Sequence, residues 1–155
     1  MVLCLVLMGS TYQVYAYADA IFKDLEGHQT SFQQLKGKWV FINYWASWCH
    51  PCLSEISVFN DFYHQYKKHV AVFAVHYDKL PLSQLTTLVH KYQIDYPHLQ
   101  NNPAKALSLG RIPSVPTTFV FNPEGVLVQT LYGPQTLSSL KKASVAKLKS
   151  RIVPF

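Results

Sequence analysis

The sequence predicts an α/β fold: a central mixed sheet flanked by helices, with a small β-hairpin added on its N-terminal side. Three observations lead there. Residues 40–45 and 70–75 are short, nearly continuous apolar runs of β-formers, the pattern of buried strands. Each is followed by a segment whose apolar residues recur at three-to-four spacing, the period of a helix. Later, two strand-like runs flank Asn122-Pro123-Glu124-Gly125, a sequence built to turn a hairpin.

Taken in order, residues 19–38 are expected to form the N-terminal hairpin, with Glu26-Gly27 at its turn. The strand over 40–45 then runs into Ala46-Ser47-Trp48-Cys49-His50. Pro51 stands where a helix would begin, because its missing N–H costs nothing in a first turn. Leu53, Ile56, Phe59, Tyr63 and Tyr66 continue that helix on one face. After the second strand, residues 82–92 are helical again, with Leu85, Leu88 and Tyr92 aligned. Residues 117–121 and 126–131 are the two arms of the late hairpin. Leu137, Leu140, Val145, Leu148 and Ile152 then mark an amphipathic terminal helix. The order β-α-β-α-β-β-α demands parallel pairing first and antiparallel pairing last.

Composition bounds the function. The 155 residues are 49% apolar and only 14% charged, which suits one folded domain and argues against disorder. The net charge of +6 is not spread evenly. Lys141, Lys142, Lys147, Lys149 and Arg151 lie in an acid-free C-terminal stretch, and the rest of the chain carries nine basic against eight acidic residues. A lysine face on a docked helix accounts for this, and with no nucleic-acid motif or interleaved aromatics no nucleic-acid partner is expected.

Residues 1–18 carry no charge: an apolar run over 2–8 is followed by Gly9-Ser10 and then by Ala16-Tyr17-Ala18, a small-x-small site. This reads as an export signal cleaved before Asp19, leaving a single domain over 19–155 in the periplasm or another extracytoplasmic space. The positive n-region is missing. An uncleaved membrane anchor and a first buried strand are the other readings of this segment.

Cleavage would reduce three cysteines to two, Cys49 and Cys52, in the run Cys49-His50-Pro51-Cys52. One such pair with no others suggests a working dithiol rather than a disulfide scaffold. Its first sulfur would sit at a helix N-terminus, where unpaired N–H groups and the dipole favour thiolate. That makes Cys49 the expected nucleophile and the deeper Cys52 the resolving thiol. An inert disulfide closing a very small loop would add little stability, and a zinc site would need a second ligand pair that the sequence does not supply. His28, His64, His69, His76, His90 and His98 are scattered without ligand spacing and are expected at the surface or capped, so no metal is expected. Trp45 is assigned to the core and Trp48 to the rim beside Cys49.

The stretch Lys36-Gly37-Lys38-Trp39-Val40-Phe41-Ile42-Asn43-Tyr44-Trp45-Ala46-Ser47-Trp48-Cys49-His50-Pro51-Cys52-Leu53-Ser54-Glu55, with Val115-Pro116-Thr117-Thr118 and the turn at 122–125, resembles the thioredoxin fold. Within that fold it is similar to the exported TlpA/ResA-like (DsbE/CcmG-type) thiol–disulfide oxidoreductases. The resemblance implies a redox-active Cys49–Cys52 disulfide with no further cofactor. It implies a cis bond before Pro116, a Val115 backbone that pairs with an extended substrate, and Glu55 as a partly buried acid that tunes the thiols. Asn43 stands where cytoplasmic thioredoxins carry an aspartate, so Glu55 would serve as the acid. Trp48 and His50 would border the substrate, and a protonated His50 would make the couple more oxidising. Implied partners are protein disulfides such as that of apocytochrome c and a membrane electron donor of DsbD or CcdA type, with the protein itself a monomer. Three features depart from the family pattern: Ser57 in place of a helix-kinking proline, an extra Pro113 in the stretch before Val115, and His50-Pro51 between the cysteines. A thiol oxidant on the same residues, or a copper chaperone of this fold, are the alternatives. Nothing resembles a peroxidatic Thr-x-x-Cys.

Overall fold

The computed structural model describes residues 20–145. The expected export signal and the distal end of the lysine-rich helix therefore lie outside the described residues.

A four-stranded sheet forms the centre, in the order β4-β3-β5-β6. Strand β3 (Trp39–Trp45) pairs in parallel with β4 (Val70–His76) and antiparallel with β5 (Thr117–Phe121), which in turn pairs antiparallel with β6 (Leu127–Tyr132). The expected sequence of parallel and then antiparallel pairing is met. A separate hairpin of β1 (Ile21–Lys23) and β2 (Gln29–Ser31) turns at Gly27, whose φ of 89° suits glycine. The helices are α1 (His50–Tyr66), α2 (Leu82–Lys91) and α3 (Leu137–Val145). A single 3-10 turn over Phe32–Leu35, closed by a capping box from Ser31, adds to the expected elements.

Both faces of the sheet are covered, so the strands read as unbroken apolar runs rather than alternating ones. Along β3, Phe41 and Trp45 face one core while Val40, Ile42 and Tyr44 face the other. Cys52, Ile56, Phe59 and Phe62 from α1, with Leu140 and Ala143 from α3, fill the first core. Phe22, Phe32, Leu35, Leu99, Leu107 and Ile112 fill the second. Helix α1 runs without interruption through Ser57.

The segment between α2 and β5, for which the sequence suggests no element, is partly sheet-like. The amide of Ala74 bonds to the Pro97 carbonyl at 2.9 Å, and the amide of Leu99 bonds to the Ala74 carbonyl at 2.8 Å. The chain at 97–99 thus lies along the free side of β4.

The contact that holds α1 onto the sheet is testable. Phe62 is fully buried, its ring edge-on to Phe41 at 5.0 Å. Phe62→Ala should lower unfolding free energy by about 3–5 kcal/mol in urea denaturation, since the cavity cannot close against the sheet. A loss below about 1 kcal/mol would show that α1 is not anchored there.

Candidate active site

The end of β3 leads directly into the site. Trp45 is the last residue of the strand, and the Cys49 amide bonds to the Ala46 carbonyl at 3.1 Å, turning the chain. Cys49 is the N-cap of α1, and its Sγ accepts the amide N–H of Cys52 at 3.3 Å. Pro51 lies in the first helical turn, as the sequence implies. Cys49 and Cys52 are joined in a disulfide. Of the two, Cys52 is entirely enclosed, whereas a little of Cys49 reaches solvent.

The Val115–Pro116 bond is cis, the isomer the resemblance implies. Val115 packs against the apolar cluster that contains both cysteines. Trp48 is 65% exposed and His50 is exposed, so both face solvent at the mouth of the site.

Glu55 lies one turn beyond Cys52 and is buried, only 2% exposed. Its two oxygens are held separately: Asn43 Nδ2 donates to Oε1 at 2.8 Å, and the Gln135 amide donates to Oε2 at 2.7 Å. Asn43 also donates to Thr118 Oγ1 at 3.1 Å, its register partner across β3 and β5. Burial raises the Glu55 carboxyl to about 7, against the pull of its two donors. Tyr96 is pushed up as well, by burial and by the Glu55 charge.

Of the histidines expected at the surface or capped, His76 and His98 are capped in the interior: they are 6% and 3% exposed, hydrogen-bonded at both ring nitrogens, and lie edge-on to the Trp45 ring. Trp45 Nε1–H donates to His98 Nε2 at 3.1 Å, which places the His98 proton on Nδ1, facing the Leu99 carbonyl at 2.9 Å. Burial, and to a lesser extent the nearby His76, lower His98 to about 4, against the Leu99 bond. His76 Nε2 accepts the Ser47 amide at 3.3 Å. Trp48 Nε1 donates to Asp78 Oδ2 at 2.8 Å, and the Trp48 ring is edge-on to Tyr77 at 6.3 Å. None of His76, Tyr77, Asp78 or Gln135 carries a sequence signal for this site. Each is recognisable only once β4 pairs with β3 or the turn after β6 meets α1.

Among the described residues no three His, Cys, Asp or Glu side chains stand together as metal ligands, and no helix is long and apolar enough to cross a membrane.

A dithiol pair at the head of a helix, in a mixed sheet of this topology, is the working arrangement of a thioredoxin-fold thiol–disulfide oxidoreductase. The chain belongs to the AhpC/TSA family, whose sequence profile matches residues 16–130. It is 31% identical to the thiol-disulfide oxidoreductase ResA of Bacillus anthracis over 122 residues, 78% of this chain and 70% of that one. It is 29% identical to the ResA of Bacillus subtilis (strain 168) over 121 residues, 77% of this chain and 67% of that one. The crystal structure of StoA from Bacillus subtilis superposes with a TM-score of 0.67 at 25% identity, covering 79% of this chain and 93% of that one. A putative thioredoxin from Neisseria meningitidis shares the fold, with a TM-score of 0.70 at 22% identity over 85% of this chain and 88% of that one.

The raised Glu55 makes stability depend on pH in a defined direction. Below its unfolded value of 4.5 the carboxyl is neutral in both states and costs nothing. As pH rises from there to about 7 the unfolded chain ionises first, so the native state loses stability, on the order of 3 kcal/mol, and then levels off. Glu55→Gln should remove that fall. The stability difference between variant and parent should shift in the variant's favour between pH 4 and pH 8, read by denaturant titration at each pH. A difference that stays flat would contradict the assignment.

Proposed function

We propose that the protein reduces protein disulfides outside the cytoplasm, in the manner of the cytochrome c maturation reductants it resembles. The observation that carries the chemistry is the Cys49 sulfur accepting an N–H at the head of α1 while Cys52 lies enclosed behind it. A thiolate at Cys49 is stabilised there by the same amide and by the helix dipole.

In the reduced protein the Cys49 thiolate attacks one sulfur of a substrate disulfide. The substrate S–S bond breaks, a mixed disulfide forms, and the departing substrate thiolate takes a proton. Cys52 then loses its proton and attacks the Cys49 sulfur. The mixed disulfide breaks, the second substrate thiol leaves, and the Cys49–Cys52 bond closes. The substrate has gained two electrons from the cysteine pair and two protons, one from water and one from Cys52. Glu55, one turn from Cys52 and poised near neutrality, takes the Cys52 proton and passes it to the departing substrate thiolate. The cis-Pro116 segment supplies the Val115 backbone for an extended substrate chain, and Trp48 and His50 border it. A membrane donor of DsbD or CcdA type returns the electrons, and apocytochrome c, with its C-x-x-C-H thiols, is the client class the resemblance implies. The apolar segment over 1–18 supports export, either cleaved or retained as an anchor.

Equilibration with glutathione buffers, with free thiols trapped and counted, tests the direction of electron flow. A reduction potential near or below thioredoxin's ~−270 mV supports a reductant, whereas a value towards ~−120 mV would make the protein an oxidant. Cys49→Ser should abolish reduction of a peptide disulfide carrying the C-x-x-C-H sequence. Retained activity in that variant would contradict the mechanism. Stoichiometric copper held through dialysis by the parent, and lost in Cys49→Ser, would point to the copper reading instead.

A further inference from the structure

We propose that His76 is a positioning residue for thiol–disulfide exchange: its imidazole holds the loop before Cys49 by accepting the Ser47 amide, and a side chain without that acceptor releases the hold. The inference rests on the exchange chemistry alone and not on which client is reduced.

The geometry selects one form of the ring. Nε2 faces the Ser47 N–H at 3.3 Å, while Nδ1 lies 3.1 Å from the Asp78 carbonyl oxygen and 3.2 Å from the Asp78 amide. With the proton on Nδ1, the ring donates to the Asp78 carbonyl and accepts from Ser47, and gives up the Asp78 amide bond. With the proton on Nε2, the ring accepts from the Asp78 amide and gives up the other two. The first tautomer makes two bonds against one. A doubly protonated ring keeps the Asp78 carbonyl bond but turns Nε2 into a donor, so it cannot accept from Ser47.

The loop has a second tether one residue on, from Trp48 Nε1 to Asp78 Oδ2. His76 and Asp78 thus grip Ser47 and Trp48, the two residues that precede Cys49. Loss of the Ser47 bond leaves that turn held by the Trp48–Asp78 bond and by the Cys49 amide on the Ala46 carbonyl. His76 lines a surface cleft of about 430 Å³ with Asp78, Lys79, Leu85, Gln100 and Asn101.

The groups that face His76 come from three sides. Its own loop contributes Tyr77, the Asp78 carboxylate and Lys79. The 97–102 segment contributes His98, across the Trp45 ring. The loop after β3 contributes the uncharged Ser47 and Trp48, and α2 contributes the apolar Leu85.

Two substitutions separate positioning from packing. His76→Phe keeps a flat ring against Trp45 without an acceptor, whereas His76→Gln places a carbonyl oxygen near the Nε2 position that does not titrate. In His76→Phe the Ser47 amide should exchange with deuterium roughly fivefold faster than in the parent at pH 8, the effect of one lost hydrogen bond. In His76→Gln it should match the parent. The rate of reduction of a small aromatic disulfide by the reduced protein should follow the same pattern, lowered in His76→Phe and restored in His76→Gln. Ser47 protection in His76→Gln as weak as in His76→Phe would overturn the proposal. So would unchanged Ser47 protection in a folded His76→Phe protein. Should His76→Phe not fold, His76→Leu takes its place with the same readouts.

Discussion

Everything in this molecule that bears on function depends on one contact, the Cys52 amide pointing at the Cys49 sulfur at the open end of α1. A helix leaves its first N–H groups without internal partners, and a sulfur placed among them is a better resting place for negative charge than a thiol in water. The rest of the fold keeps that sulfur in place. Strand β3 delivers the chain to the helix head, and Phe59 and Phe62 bind the helix to the sheet. The cis-Pro116 segment closes the opposite side, with Val115 against the cysteine cluster.

Behind the sulfurs, polar groups lie deep in an otherwise apolar interior. They are tolerable because every one is satisfied: among the described residues no buried side-chain nitrogen or oxygen lacks a partner. On one side Asn43, Thr118 and the Gln135 amide converge with Glu55, tying β3, β5, the turn after β6 and α1 together. On the other side His98 accepts a hydrogen bond from the Trp45 indole N–H and His76 accepts one from the Ser47 amide. The two groups have opposite pH preferences. Burial favours neutral Glu55 and so weakens the fold as pH rises, and it favours neutral His98 and so weakens the fold as pH falls.

The strands and helices were legible because their signals are local. Residues 40–45 and 70–75 read as buried strands from apolar continuity alone, and Pro51 and the spacing of Ile56 and Phe59 located α1. The redox pair was legible from its spacing and from the position of Pro51. Glu55 and Pro116 were legible only through the family resemblance, because nothing in a lone Glu or Pro distinguishes a site from a surface. What stayed hidden is what pairing creates. Asn43 meets Glu55 across twelve positions and Gln135 meets it across eighty. His76 and His98 are scattered in the sequence; the alignment of β4 beside β3 brings the first against Trp45, and the 97–99 segment lying along β4 brings the second. The segment at 97–99 carries no strand signal because its pairing is through isolated bridges, to Ala74 of β4 on one side and to Asp24 on the other, rather than along a long partner.

The account centres on unequal sulfurs, and the rate of alkylation of the reduced protein by iodoacetamide across pH measures that inequality most directly. With mass spectrometry to locate the adduct, Cys49 should be modified first and its rate should titrate clearly below the ~8.5 of a free cysteine, with Cys52 nearly inert. A Cys49 titration at or above ~8.5, or equal modification of both cysteines, would contradict the placement of the reactive sulfur at the head of α1.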